Sequence, residues 1–539
     1  MKSVLILGGG VMQLPAIRIA KEMGWRIILA DGNENVPGRE LADFFEHVDL
    51  KDREGMVRAA RKYFENGGLD GVFTAGTDFS ATVAWVSESL GLPGIPYEVA
   101  LKASSKGLMR EAFALAGVPI PAFIELDRNE SPARVLEKLS FPLVVKPVDN
   151  MGARGIRRID NPDELDRAFK LAGEYSRSGK VIIEEFIVGP EFSLDALIED
   201  GKVTICGIAD RHIFFPPYFI EMGHTMPTCF DDSDVENICR VFKDGIKALG
   251  INRGAAKGDI KLSPDGPVVG EIAARLSGGF MSGWTFPYAS GVEVTRGGLN
   301  LAVGLPHGDL TPRRRAYSAE RAFISIPGIV DGIKGFVEAQ ATPGVEFSHL
   351  LAVEGKEVVF PVNNVEKCGN FISRAATREA AVVASETACR KIEILLSPGN
   401  GATSSFLRKH SYDWVPDAYA GIDMDVRKQI ESMDLVSQGF IENGISDSGM
   451  GVAELPITPV KGIKAITLLD WHGLSVETAL DRVRQSGGKI ADEGEGEVGR
   501  IFWESFIRGG YQGGVWIIRT LASLLTPDER KEFIRQWIK

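Results

Sequence analysis

The sequence is poor in cysteine, in basic charge and in long apolar runs, and each shortage excludes a class of protein. Its 539 residues include five cysteines, an odd number with no Cys-x-x-Cys pair. A disulfide scaffold or a structural zinc site is therefore not expected, and a reducing cytoplasm is the expected compartment. Lysine and arginine (61) are outnumbered by aspartate and glutamate (73), and the net charge of −12 argues against a nucleic-acid partner.

No uninterrupted apolar stretch approaches the roughly 20 residues that a membrane helix needs, so no membrane partner is expected. The stretch 1–7 has one lysine and a four-residue apolar run before three glycines, which is too short for a secretory signal. At about 150 residues per domain the length predicts three or four domains. The composition, 44% hydrophobic and 25% charged, is that of an ordinary globular protein.

The first hundred residues alternate strand and helix patterns. An apolar run at 4–7 precedes a Gly-Gly-Gly turn at 8–10, a helical pattern ends at Gly24, and a second apolar run covers 26–30. This order predicts a parallel sheet with helices on its faces. The glycine turn lacks the G-x-G-x-x-G fingerprint, so a tight strand-to-helix turn is favoured over a nicotinamide site.

Charged residues that suit phosphate and metal binding are spread over the middle of the chain. Lys106 opens a helical pattern, Lys146 ends an apolar strand, and the glycine-containing turn 149–155 suits a loop that folds over phosphates. An acidic pair, Glu184-Glu185, then ends another strand, and Glu191 follows. Each of these alone is more often a solvated charge, but chance is a poor explanation for all of them in this order.

Two further carboxylates lie on neighbouring strands. Asp259 and Glu271 fall on either side of a predicted hairpin turn at 263–266, and Arg275 follows four residues later. Carboxylates that face one another across strands suit Mg²⁺, which takes few carboxylates together with nucleotide phosphates. The residues therefore predict a site for a magnesium–nucleotide complex.

This order of motifs resembles that of the ATP-grasp superfamily of carboxylate–amine ligases, over roughly the first 390 residues, and is closest to its biotin-carboxylase-like and L-amino-acid ligase branch. The resemblance implies ATP and Mg²⁺ as cofactors, with Mn²⁺ as an alternative metal. It also implies small-molecule carboxylate and amine substrates, an acyl phosphate intermediate, and release of ADP and phosphate. A homodimer is left open.

The resemblance also implies a role for each motif residue. Lys106 and Lys146 would hold the α- and β-phosphates. The other nucleotide residues would be a phosphate lid, an adenine-binding strand end and a ribose ligand: Gly152, Ala153 and Gly155; Glu184, Glu185, Phe186 and Ile187; and Glu191. Asp259 and Glu271 would carry Mg²⁺. Glu271 and Arg275 are the implied catalytic residues, and Arg275 would steady the transferred phosphoryl group and the acyl phosphate.

The chain departs from the family at Ala273. Many members read Glu-x-Asn-Pro-Arg where this chain has Glu271-Ile272-Ala273-Ala274-Arg275. An alanine cannot supply the amide oxygen that often completes the second metal site. Either one ion is bound differently or activity is reduced.

A finer resemblance covers 209–212 and 216–224, which are similar to the substrate loop of the L-amino-acid ligase branch. It implies that Glu221 pairs with the α-ammonium of an amino acid, and that His224 contacts substrate or assists proton transfer. For His224, an ordinary loop histidine remains an equal alternative.

The expected fold is an α/β and α+β multidomain protein. The expected parts are an N-terminal Rossmann-like domain (1–103), an ATP-grasp domain (104–318), a small β-rich domain of the biotin-carboxylase type (319–398) and a mainly helical extension of unknown role (399–539). Two other functions stay open. Bicarbonate could replace the carboxylate as phosphoryl acceptor, although no biotin-carrier lysine motif is visible, and Ala273 leaves room for a nucleotide-binding protein without turnover.

Overall fold

The computed structural model describes residues 1–66, 68–408, 415–445, 454–463, 466–491 and 496–538. The contacts between residues divide the chain into two compact units. The first comprises Met1–Phe214, Tyr218–Glu320 and Ile372–Val383, and the second comprises Phe215–Pro217, Arg321–Phe371 and Ala384–Lys539. Within the described ranges, no helix has both the length and the apolar character needed to cross a membrane.

The first unit opens with a parallel sheet whose strands alternate with helices. Its elements are β1 Ser3–Leu7, α1 Leu14–Glu22, β2 Arg26–Asp31, β3 Phe44–His47, α2 Arg53–Glu65, β4 Gly71–Phe73 and α3 Ser80–Ser89. The strand order is β3-β2-β1-β4, with parallel pairing throughout. Side chains of β1 alternate between two cores, because Val4 and Ile6 pack with α1 whereas Leu5 and Leu7 pack with α2. The predicted parallel sheet is confirmed.

A smaller antiparallel sheet follows. The next elements are α4 Tyr97–Lys102, α5 Lys106–Ala116, β5 Phe123–Asp127, β6 Leu143–Pro147, β7 Arg157–Ile159, α6 Leu165–Tyr175 and β8 Lys180–Glu185. The strand order is β5-β8-β6-β7. Helix α6 buries Leu165, Ala168, Phe169 and Ala172 against this sheet, and their three- and four-residue spacing is that of one helix face.

A larger antiparallel sheet carries most of the predicted site. The elements are β9 Glu191–Glu199, β10 Lys202–Phe214, β11 Ile220–Met226, α7 Asp232–Leu249, β12 Gly254–Ser263, β13 Gly266–Ala273, α8 Phe286–Ser290, α9 Val294–Ala302 and β14 Tyr317–Phe323. The order runs β13-β12-β9-β10-β11 and continues to β14. Phe192 and Leu194 of β9 and Ile260 of β12 pack in one core with α5 and α7. Glu191 and Asp259 each precede one of these core residues on the same strand, and they therefore face the other side of the sheet.

The remaining elements are β15 Gly328–Lys334, α10 Phe336–Gln340, β16 Val345–Leu350, β17 Glu357–Val358, β18 Gly369–Ala375, α11 Arg378–Lys391, β19 Glu393–Leu396, α12 Gly401–Leu407, α13 Met424–Glu431, α14 Gln438–Asn443, β20 Leu455–Ile457, α15 Val476–Gln485, β21 Gly488–Ile490, α16 Arg500–Ser523 and α17 Pro527–Ile538. In the second unit β15 pairs antiparallel with β17 and β19, and β20 pairs parallel with β21.

The buried helix α16 is bound to the strands of the second unit by polar side chains. Gln512 accepts a hydrogen bond from the Ile326 N–H (3.1 Å) and donates to the Ile394 carbonyl (3.1 Å), and Trp516 donates to the Ser397 carbonyl (2.9 Å). The sequence shows an amphipathic helical pattern at 501–506, which is followed by a Gly-Gly-Tyr-Gln-Gly-Gly run. The structure continues the helix through that run, with one kink at Gly510.

We predict that Gly510→Ala destabilises the second unit by about 2 kcal/mol, because its backbone (φ 61°, ψ −150°) strains other residues. An added Cβ would also lie 2.7 Å from Asp470 Oδ2. The measurement is urea unfolding followed by tryptophan fluorescence. The control is Gly401→Ala at the first residue of α12, where nothing lies within 4 Å of an added Cβ and no loss is expected. Equal effects of the two substitutions would contradict the prediction.

Candidate functional site

A bulge in the hairpin of β12 and β13 determines which side chains share the site. The register places Asp259 opposite Glu271 and Ile260 opposite Val269, so Gly270 is an extra residue in β13. Side chains alternate between the two faces of a strand. In a regular ladder Asp259 would oppose Gly270, and Glu271 would face the apolar core. The bulge therefore brings the two predicted metal carboxylates to one face of the sheet.

A buried chain of charges joins this hairpin to the smaller sheet. Arg110 of α5 donates to the Gly270 carbonyl (2.7 Å) and, through Nε, to Glu184 Oε1 (2.6 Å). Glu184 Oε2 lies 2.5 Å from Lys146 Nζ. Burial alone would raise the pKa of Glu184, but the charges of Arg110 and Lys146 outweigh it and hold the pKa at about 2. Burial, together with the nearby cations, lowers the pKa of Lys146.

Glu271 is an anion among cations. Lys106 Nζ donates to the Asn150 carbonyl (2.7 Å) and lies 3.7 Å from Glu271 Oε2. Burial favours the neutral carboxyl, yet the positive charges of Lys106 and Lys257, with smaller contributions from two further cations, lower the pKa of Glu271 to about 2. Glu271 is therefore ionised at neutral pH, as a metal ligand must be.

One arginine contacts three of the predicted site carboxylates. Arg211 of β10 forms ion pairs with Glu191 on β9, with Glu221 on β11 (2.8 Å) and with Asp259 on β12 (3.3 Å). Burial would lower the pKa of Arg211, but these three carboxylates raise it well above its usual value. The residues expected to bind ribose, substrate and metal therefore share a single guanidinium.

The predicted substrate residues lie on a strand rather than in a loop. Residues Ile220–Met226 form β11, where Glu221 and His224 are found. His224 is buried, with Nδ1 3.0 Å from Glu320 Oε2 and Nε2 3.7 Å from Glu221 Oε2. The loop expected from sequence is thus wrong for these residues, because the strand pairs with β10 across a register shift that the sequence does not reveal.

Arg275 follows β13 and is buried. Its Nη1 donates to the Leu276 carbonyl (2.9 Å), and its Nη2 lies 3.9 Å from the sulfur of Met151. The next residue but one, Ser277, donates its N–H (2.9 Å) and its hydroxyl (2.6 Å) to Asp195 of β9. Burial raises the pKa of Asp195 to about 6. This bidentate contact fixes the backbone directly after Arg275.

The turn 149–155 has the backbone expected of its glycines. Gly152 and Gly155 have φ of 68° and 71°, and Ala153 between them has a φ of 62°, which is uncommon for a residue with a side chain. Arg154 Nη2 lies 3.1 Å from Asp78 Oδ2, in the segment that follows β4. The turn therefore contacts both the Arg275 segment, through Met151, and the N-terminal sheet region.

Two cationic side chains pack on the ring of Phe186, the residue that follows β8. The ring of Phe186 lies 4.2 Å from Lys261 Nζ and 4.5 Å from the guanidinium carbon of Arg158. Lys261 Nζ donates to the Ile187 carbonyl (3.2 Å) and lies 3.5 Å from Glu191 Oε2. The Glu185 side chain is turned away to accept from the Ser140 N–H (2.8 Å), so that Glu184 alone of the acidic pair joins the buried charges.

The described residues contain no group of three or more His, Cys, Asp or Glu side chains that could hold a metal. Asp259 and Glu271 are a pair of opposed, ionisable oxygen donors. This donor set fits Mg²⁺ in a nucleotide complex, because Mg²⁺ takes one or two carboxylates and fills its other positions with phosphate oxygens and water.

The structure brings the predicted residues into two groups, around Glu184 and Glu271 and around Arg211. Four cations of these groups are not among the site residues predicted from the sequence: Arg110, Lys257, Lys261 and Arg211. A signal was available for two of them. Lys257, Asp259 and Lys261 share one parity along a strand whose other positions are apolar or glycine, which is typical of a polar sheet face.

Comparison with protein-family models places an ATP-grasp domain at residues 139–283. Residues 322–397 match a second family model, the L-amino acid ligase C-terminal domain 2. The chain therefore carries an ATP-grasp domain followed by a C-terminal domain of the L-amino acid ligase type. The two matches fall inside the expected segments 104–318 and 319–398, whose outer boundaries stay predictions.

The chain is also similar to individual proteins and solved structures. The chain is 26% identical to protein y4rH of Sinorhizobium fredii over 65% of this chain and 73% of that protein. It is 28% identical to the alanine–anticapsin ligase of Bacillus subtilis, over 44% of this chain and 57% of the ligase, so it spans little more than half of that relative. The crystal structure of an L-amino acid ligase from Bacillus licheniformis superposes with a TM-score of 0.65 at 23% identity, covering 74% and 99% of the two chains.

We predict that Glu184→Gln destabilises the first unit by about 3 kcal/mol, because Arg110 and Lys146 lose the anion between them. Since the folded pKa (about 2) lies below the ordinary 4.5, the contribution of Glu184 is present above pH 4.5 and is lost as the pH falls toward 2. The measurement is guanidinium unfolding at pH 7 and pH 3, where the difference from wild type should shrink. Asp244→Asn, in an exposed pair on α7, is the control and should stay within about 1 kcal/mol of wild type.

Proposed function

We propose that the protein is an ATP-dependent ligase that activates a carboxylate as an acyl phosphate and joins it to an amine, with an amino acid as one substrate. The observation that supports this most is the opposition of Asp259 and Glu271 beside the buried cations Lys106 and Lys146. Polyphosphate with a divalent ion is the ligand whose charge pattern matches this arrangement.

In this proposal the lysines bind nucleotide phosphates, and the two carboxylates would hold Mg²⁺, which would supply positive charge to neutralise the phosphates. Phosphoryl transfer needs little covalent help from a protein, so catalysis is mainly positioning and electrostatic stabilisation. Arg275, buried and fixed by its own backbone contact and by the Asp195–Ser277 clamp, would stabilise charge on the transferred group. The 149–155 turn would act as the lid that excludes water.

The acceptor side is proposed to lie at Glu221. This carboxylate is half-buried between Arg211 and His224, and an α-ammonium group would gain a charge-assisted hydrogen bond from it. His224 is held by Glu320, which fixes its ring for contact with substrate. The remaining proposals from sequence, a cytoplasmic location and small-molecule substrates without a nucleic-acid or membrane partner, fit this assignment.

We predict that the protein converts Mg-ATP to ADP and phosphate, and not to AMP and pyrophosphate, when supplied with pooled amino acids. Glu271→Ala should lower this turnover at least 1,000-fold, because it removes a carboxylate that holds the metal. The products are separated by anion-exchange chromatography. Glu236→Ala, an exposed position on α7, should keep wild-type activity. Formation of AMP would contradict the proposed transfer of the γ-phosphoryl group.

We further predict that hydroxylamine traps the acyl phosphate as a hydroxamate when the correct carboxylic acid is present. Glu221→Gln should raise the half-saturating concentration of the amino acid about tenfold, which is about 1.4 kcal/mol, because a charge-assisted bond becomes a neutral one. Binding of a non-hydrolysable ATP analogue should change less than twofold, and Glu236→Gln should change neither. If bicarbonate alone drives ADP release and no amino acid yields a hydroxamate, the protein is a carboxylase instead.

A further inference from the structure

Lys257 is a cation placed directly at the proposed metal site. It lies two residues before Asp259 on β12, so the two side chains share a face of the strand. Its Nζ contacts Asp259 Oδ2, and both side chains are about one-eighth exposed (13% and 12%). The ammonium group is therefore paired with one of the two carboxylates that would bind the metal.

The residue opposite Lys257 is Ala273. Ala273 is two residues after Glu271 on β13 and thus lies on the same face, yet it offers no oxygen to a metal. The four facing positions of the hairpin are consequently two carboxylates, one ammonium group and one methyl group. Since no third carboxylate, histidine or cysteine joins them in the part of the chain that the structure describes, the donor set is small for more than one ion.

The charge around the carboxylates leads to the same conclusion. Asp259 is paired with Lys257 and also lies 3.3 Å from Arg211. Glu271 lies 3.7 Å from Lys106 and is surrounded by cations that include Lys257. A first divalent ion is accommodated because nucleotide phosphates enter with it. A second one would have to displace Lys257 from Asp259 or lie beside its ammonium group, where like charges repel.

We propose that this site takes one divalent ion per nucleotide, and that Lys257 supplies the positive charge that a second ion would bring. The proposal rests on the proposed function for the presence of the nucleotide. It assigns a role to a lysine that neither the motif order nor the family matches single out. It also relates Ala273, which offers no oxygen to a second ion, to Lys257, which lies opposite it on the neighbouring strand.

The test counts bound metal without turnover. The full-length protein is mixed with a non-hydrolysable ATP analogue in excess over its dissociation constant and titrated with Mn²⁺, and free Mn²⁺ is measured by electron paramagnetic resonance. A parallel titration of the analogue alone gives the Mn²⁺ held by the unbound fraction of the analogue, and only that amount is subtracted. We expect one protein-dependent Mn²⁺ per bound nucleotide. A count of two, or of none, overturns the proposal.

Two variants examine the lysine itself. Lys257→Gln combined with Ala273→Asn removes the ammonium group and places an amide oxygen opposite, and the count should rise to two. If this folded double variant still binds one ion, the charge of Lys257 is not what replaces the second ion. Lys257→Arg keeps the charge and should bind one ion, as should the control Lys62→Gln, whose lysine lies on an exposed surface of α2. Circular dichroism and thermal unfolding check that each variant folds.

The outcome is independent of the proposed reaction. The wild-type count needs no variant and no amino-acid substrate, so it decides whether the site takes one ion even if the double variant fails to fold. One Mn²⁺ per nucleotide without ADP release from any amino acid would support the one-ion site and overturn the ligase. Two Mn²⁺ with ADP and hydroxamate formation would overturn the one-ion site and leave the ligase intact.

Discussion

The extra residue at Gly270 is the constraint on which the rest of the site depends. It reverses the face of the sheet on which each later side chain of β13 lies. Glu271 therefore lies on the same face as Asp259 and not on the side of the apolar core. A bulge also leaves a backbone group without its ladder partner, and here the Gly270 carbonyl accepts from Arg110. Because Arg110 also binds Glu184, the irregular point of one sheet is tied to β8 of the other. The positions of Glu271 and Lys146 are thus set together.

The site is assembled from charges that would be unfavourable in isolation. A buried cation without a partner is costly. Burial lowers the pKa of Lys146, and the nearby charges of Arg110 and Lys106 lower it further. Glu184 and Glu271, both with pKa values near 2, offset part of this positive charge. The arrangement is therefore stable as a folded network yet still favours an incoming polyanion. This explains how one cluster can be both part of the folded core and the proposed phosphate-binding surface.

Elements with regular patterns can be predicted from the sequence, and the irregular points cannot. The parallel sheet of residues 3–73 and the hairpin around 263–266 follow from apolar alternation and turn residues, and both are found. A glycine inside a strand often marks a bulge, but Gly270 alone does not establish which residues of the two strands face one another. The strand at 220–226 escapes detection since it begins after two prolines and pairs across a register shift. Helix α16 is obscured by its own glycines.

Contacts across strands are the other part that sequence order does not contain. Arg211 is an unremarkable arginine along the chain, next to His212 and far from Asp259. The pairing of β10 with β9 and β11, and of β9 with β12, places it among three carboxylates that come from separate motifs. A guanidinium has five N–H donors in a fixed plane, which lets a single side chain hold three acceptors at once, whereas a lysine ammonium group is compact and lacks that planar fork. The geometry of this one side chain therefore links the proposed nucleotide, metal and amine positions into one site.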